Sequence, residues 1–154
     1  MSDPRFPPVD TLVPHSGDLV LLDRILTADQ DSLSAALTVR ADGLYNHGDR
    51  VPAWVGMEYM AQAIAAFAGW HAHLEQRPVQ LGFLLGSRRF TYSRREFTVG
   101  ATLTVTVRKL LQDNGGMGVF ECALEDHQGR RCAEARLNVF QPQDSDQYLR
   151  DIHD

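Results

Sequence analysis

Cysteine is scarce. Only Cys122 and Cys132 occur in 154 residues, too few for a disulfide framework, and neither stands with histidines at metal-ligand spacing. A reduced, cytosolic protein without a metal site is the expectation. Long apolar runs are missing too. No 18 residues run together without a polar interruption, and the opening MSDPRFPPVD has no basic region followed by an apolar one. Neither a membrane-spanning helix nor a secretory leader is therefore expected. Positive charge is not in excess, since 15 Lys and Arg against 20 Asp and Glu leave a formal charge of −5, which disfavours nucleic acid or an anionic membrane as partner. Repeats and low-complexity segments are absent as well. With 44% hydrophobic and 23% charged residues, the chain has the composition of an ordinary globular protein and the length of one domain.

The elements follow from pattern. Pro4, Pro7, Pro8 and Pro14 make the first fourteen residues extended or turn-like, because proline removes a donor and restricts its predecessor. Residues 19–27 (LVLLDRILT) and 32–40 (SLSAALTVR) read as two strands joined by a polar turn, and residues 41–51, with Gly43, Asn46, Gly48 and Asp49, as a loop. Pro52 stands where helices begin, and residues 53–71 form the one long helix, apolar nearly all round, with Glu58 as its only charge between Trp54 and Trp70. After Pro78, residues 79–92, 101–111, 119–125 and 131–140 alternate or are β-branched, with short turns rich in Asn, Asp and Gly. Two strands, a buried helix and about four more strands predict an α+β fold, in which a curved antiparallel sheet wraps the helix. The apolar LTVTV run at 103–107 reads as an edge strand inviting a second subunit. The domain is expected to span 1–142, with 143–154 a loose tail.

Glu58 is the first candidate for chemistry. A lone carboxyl buried in an apolar helix would be held neutral and able to donate a proton. The plainer alternative is a helix-terminal carboxylate that caps a backbone donor or pairs with an arginine. Gln62, one turn later, shares its face. His15, in the turn before the first strand, and His47, in the loop before the helix, are the histidines placed to act as a base, or else are solvated loop residues. His71 and His73 are two apart, so they do not form a metal pair on one helical face and better suit the helix C-terminus. Between residues 77 and 109 lie Arg77, Arg88, Arg89, Arg94, Arg95, Arg108 and Lys109 against Glu96 alone. Such a segment suits an acidic partner, or is a solvated sheet face.

Three stretches carry a family resemblance: PHSGDLVLLDRI at 14–25, VGMEYMAQ at 55–62 and GVFECALEDHQGRRCAEARLNVF at 118–140. They resemble the hot-dog-fold 3-hydroxyacyl-(acyl carrier protein) dehydratases, and most closely the divergent dehydratase-like proteins of aryl polyene clusters. Where that family carries its histidine in a Gly-His-Phe-Pro-Gly loop, this chain reads Tyr45-Asn46-His47-Gly48-Asp49-Arg50. The resemblance implies a hot-dog fold and a homodimer or a heterodimer with a related dehydratase. The substrate would be an acyl chain on the phosphopantetheine of acyl carrier protein, with no further cofactor. It implies Glu58 as acid and His15 or His47 as base. Gly56, Met57, Gln62, Leu81, Gly82 and Phe83 would face substrate, and Arg88, Arg89, Arg94 and Arg95 the carrier. A thioesterase of the same fold, or a non-catalytic partner of a complete dehydratase, stands as the alternative.

Overall fold

A computed structural model describes residues 5–43, 45–79 and 82–141, with Phe83, Leu85 and Arg88 described by their backbone. Leu81 and the tail at 143–154 lie outside the described residues. Chain order is β1 (Arg24–Ala28), β2 (Ser32–Thr38), β3 (Arg50–Pro52), α1 (Gly56–Leu74), β4 (Phe83–Tyr92), β5 (Glu96–Thr98), β6 (Thr102–Gln112), β7 (Met117–Glu125) and β8 (Arg131–Phe140). Six strands form one antiparallel sheet in the order β1-β2-β6-β7-β8-β4, and β3 pairs with β5 in a small second sheet.

Alternation decides which face meets the helix. Leu33, Ala35 and Leu37 of β2, Leu103, Val105 and Val107 of β6, Phe120, Cys122 and Leu124 of β7, and Ala135 and Leu137 of β8 are buried, together with Met60, Ala63, Ala66 and Phe67 of α1. Each large side chain removed from water contributes roughly 1.5–3 kcal/mol, so this interface dominates the stability. Phe67 meets Phe120 edge-on at 5.5 Å between ring centroids. Gly56 brings the helix start so close to β7 that a Cβ there would lie 2.8 Å from Leu124 Cδ1. The helix ends because Gln76 turns left-handed (φ 56°), letting the Arg77 N–H reach the Ala72 carbonyl at 2.8 Å, with Pro78 next.

Three expectations need correction. The strand expected over 19–27 is confined to Arg24–Ala28, because Gly17, with φ 59°, opens a 3₁₀ turn over Gly17–Leu19. The proline-rich opening is turn-like, with a second 3₁₀ turn at Val9–Thr11, and it packs on the core through the buried Leu12 and Val13. The LTVTV run is no edge: β6 is hydrogen-bonded to β2 on one side and β7 on the other, and the edges are β1 and β4. The helix is not buried all round. Glu58 is exposed and Ala61, Ala65 and Ala68 are half-buried along one side.

Candidate functional site

That side of α1 floors an open cavity of about 470 Å³. Glu58, Ala61, Ala65, Ala68 and His71 of the helix line it, with Pro14 and His15 at one end and Gln30, Lys109 and Gln112 further along. Gly82, Leu84, Val139 and Phe140 close it from the β4 edge. At 1.5 Å per residue, the helix from Glu58 to His71 supplies a floor of roughly 20 Å. The alanines matter by their size, because larger side chains at 61, 65 and 68 would fill the space.

The chemistry sits at the first end. His15 Nε2 lies 3.8 Å from Glu58 Oε1, close enough for an ion pair though longer than a hydrogen bond. His15 Nδ1 is buried without a hydrogen-bond partner among the described residues, so Nε2 is the ring nitrogen left to act in the cavity. The Glu58 side chain is 50% exposed. The expectation of a buried Glu58 is therefore wrong for the single chain. The physical reason is the open, alanine-floored side of α1, whose small side chains do not cover this carboxyl.

Gln62 has a different task from the substrate contact expected of it. It is 1% exposed, and its amide is taken up by the backbone: Leu21 N–H donates to Oε1 at 2.8 Å and Nε2 donates to the Leu19 carbonyl at 2.6 Å. A longer contact of 3.5 Å joins Nε2 to Glu58 Oε1. Gln62 thus ties the segment after His15 to the helix that carries Glu58. Upstream, a Cβ on Gly69 would sit 1.8 Å from the Leu12 carbonyl oxygen, so only glycine lets the opening segment lie on the helix there. His15 stands between these two attachments. A glycine inside an otherwise alanine-rich helix was the signal in the sequence for this close approach.

The other expected residues are distributed elsewhere. His47 is exposed in a tight turn, bonded both ways to Arg50 through the backbone, and does not line the cavity. Gly56 points into the core, and its N–H donates to the Ala53 carbonyl of the 3₁₀ turn that precedes the helix. That bond occupies the Gly56 N–H, and Met57 packs against the core. Gly82 does line the cavity; Leu81 and the Phe83 side chain lie outside the described residues.

Of the arginines, Arg94 is committed to structure: its Nη2 donates to Asp126 Oδ2 at 2.6 Å. The Arg95 carbonyl accepts from Ala53 N–H while its side chain is exposed. Arg89 is exposed on the outer face of the sheet, among Arg108, Arg131 and Arg136 and the glutamates Glu121, Glu125 and Glu134 that pair with those three. Folding therefore sets acidic residues of β7 and β8 against this arginine surface, a balance hidden by counting along the chain. The Arg88 side chain lies outside the described residues. Among the described residues no group of three His, Cys, Asp or Glu could hold a metal ion. Burial pushes the Cys122 thiol up to about 12 and raises Cys132 as well, so neither is a ready nucleophile. No helix among the described residues is long and apolar enough to cross a membrane.

One long helix packed on an antiparallel sheet, with an acid and a histidine facing each other where the helix leaves a cavity, defines a hot-dog-fold protein. The dehydratase family model ApeP-like, described as ApeP dehydratase, matches residues 7–150, and the chain belongs to that family. It is 32% identical to a chain of the dehydratase heterocomplex ApeI:P from Xenorhabdus doucetiae, with a TM-score of 0.87 over 97% of this chain and 100% of that one. The hypothetical thioesterase with coenzyme A from Streptococcus pneumoniae TIGR4 is similar at TM-score 0.59 and 14% identity, over 76% of this chain and 83% of that one. The PaaI protein of E. coli is similar at 0.58 and 16%, over 75% and 80%. At such identities these two speak for the fold alone. No curated protein matches the sequence.

Proposed function

We propose that this chain is one half of a dehydratase that removes water from a 3-hydroxyacyl group held as a thioester on the phosphopantetheine of an acyl carrier protein. The single observation that carries the reading is the His15–Glu58 pair at the end of the cavity in a chain of dehydratase family. His15 Nε2 takes the proton from Cα, the Cα–Cβ double bond forms as the Cβ–O bond breaks, and the Glu58 carboxyl gives its proton to the departing hydroxyl, which leaves as water. The separation of 3.8 Å then lets the proton on His15 return to Glu58. The acyl chain runs along the alanine floor of α1, and no metal or redox cofactor takes part.

The second subunit is a related dehydratase chain, as in the ApeI:P heterocomplex of the 32% identical relative. It covers the exposed Glu58 and the free β4 edge, where Leu84 is 43% exposed. The carrier is steered by the exposed Arg89 and Arg95. One observation favours a second reading, a non-catalytic partner. Nδ1 of a catalytic histidine is ordinarily held by an acceptor that fixes its tautomer, and His15 Nδ1 has none among the described residues. Incubating the purified chain with a 3-hydroxyacyl carrier-protein thioester, alone and with the related dehydratase, and following the acyl mass separates the readings. Loss of water that requires His15 and Glu58 supports the first. Dehydration indifferent to both residues supports the partner role, and release of free acid would mean a thioesterase.

A further inference from the structure

We infer that Arg40 is a positioning residue for the His15–Glu58 pair, acting through the backbone segment that carries His15. The inference rests on the reading of that pair given above. The 3₁₀ turn Gly17–Leu19 and the residue after it have no strand neighbour among the described residues, so their backbone groups need other partners. Three successive carbonyls find them on two side chains. Arg40 Nη1 donates to Asp18 O at 3.1 Å, Gln62 Nε2 to Leu19 O at 2.6 Å, and Arg40 Nη2 to Val20 O. Arg40 follows β2 and Gln62 belongs to α1, so the segment is clamped between two elements of the core.

The guanidinium suits this role because its planar fork presents two donors in fixed geometry, matching carbonyls two residues apart. Its own placement is supported in turn, since the Arg40 carbonyl accepts from Asn46 Nδ2 at 2.6 Å. Arg40 does not line the cavity, and its hydrogen bonds go to Asp18, Val20 and Asn46, not to His15 or Glu58. Residues 18–20 are thus the hydrogen-bonded route from Arg40 to His15, and Arg40→Lys, which keeps the charge that acts on Tyr59, separates that route from a purely electrostatic effect. Gln62 would be a poorer handle, because it also contacts Glu58 and is fully buried.

The test combines kinetics with NMR of the full-length chain. With the related dehydratase present, Arg40→Ala should lower kcat by roughly 10- to 100-fold with little change in KM, the order expected when a reacting group is misplaced by about an ångström. Arg40→Lys, which retains charge and one donor direction, should recover part of the loss. Independently of activity, the ring signals of His15 at fixed pH should respond to Glu58→Gln in the otherwise wild-type chain and lose that response in Arg40→Ala. A full His15 response in the Arg40→Ala background overturns the inference. Should Arg40→Ala fail to fold, Arg40→Lys carries the same measurement, a weakened response supporting the inference and an undiminished one overturning it. Loss of the response in a chain whose wild-type complex dehydrates nothing would leave the positioning role standing and remove the proposed function, so the two failures are distinguishable.

Discussion

Two carboxylates of this molecule live in opposite circumstances. Asp126, in the turn between β7 and β8, has both oxygens occupied: Oδ1 accepts from Gln128 N–H at 2.9 Å and Arg130 N–H at 3.0 Å, and Oδ2 from Arg94 at 2.6 Å. Those bonds, the one from Arg130 foremost, hold its carboxyl below the usual carboxylate range. Glu58, on the open side of α1, has among the described residues only the distant Gln62 and His15 contacts at 3.5 and 3.8 Å. A satisfied carboxylate of this kind fixes a turn, whereas a weakly held one beside a cavity is free to engage something else. Exposure separates the two, at 5% for the Asp126 side chain against 50% for Glu58, and the hydrogen bonds explain why the buried one can stay charged.

The contrast can be broken at each side. The largest effect is expected at His15: His15→Ala should lower dehydration by the subunit pair roughly 10²- to 10⁴-fold, the range for an acid or base group. His47→Ala, in its self-contained turn, should leave the rate near wild type. If the dependence is reversed, the assignment of the base made here is wrong.

Gly69→Ala comes next. A methyl group 1.8 Å from the Leu12 carbonyl forces the opening segment off the helix, and overpacking of this kind costs roughly 1–3 kcal/mol. Calorimetry should show the destabilisation and the kinetics a lower kcat, because His15 moves with the segment; wild-type values for both would mean that the close approach is not needed.

On the satisfied side, Asp126→Ala should lower Tm while leaving turnover at 25 °C close to wild type. The sign with pH follows from a folded carboxyl held below its unfolded value. Asp126 stabilises the fold fully above the usual carboxylate range, about pH 4, and that contribution is lost as pH falls through the lowered value. Asp29 is lowered in the same direction, chiefly by the Asp31 N–H. The variant's stability should then depend less on pH below about 4, and an acid profile identical to wild type would show the Asp126 bonds to be worth little. The smallest effect is expected from Arg89→Glu with Arg95→Glu, which should raise KM for carrier-bound substrate severalfold and spare a pantetheine analogue. Arg94 is left out because it holds Asp126.

Much of this was legible in the sequence, and the exceptions share a cause. The long helix, the four strands after it and the Glu58–Gln62 spacing follow from local periodicity and proline placement. Glu58 and His15 were both identifiable, though not their proximity, since it depends on Gly69 and Gln62 reaching residues about forty to sixty positions away. The short strands β3 and β5 were missed because three-residue pairings leave no pattern of alternation. The interior place of β6 was missed because apolar alternation looks the same at an edge and at the centre. Burial of Glu58 was inferred from an apolar helix, yet alanine counts as apolar while being too small to cover a neighbour.

The most direct test of the account is a single-turnover comparison of wild type and Glu58→Gln in complex with the related dehydratase, the partner's own acid residue having been replaced so that only this chain's site can react. Conversion of the 3-hydroxyacyl thioester to the enoyl thioester, followed by mass, should proceed with wild-type chain and fall roughly 10²- to 10⁴-fold with Glu58→Gln, at an unchanged Tm. Equal conversion by both complexes would contradict the account and leave this chain as the non-catalytic half.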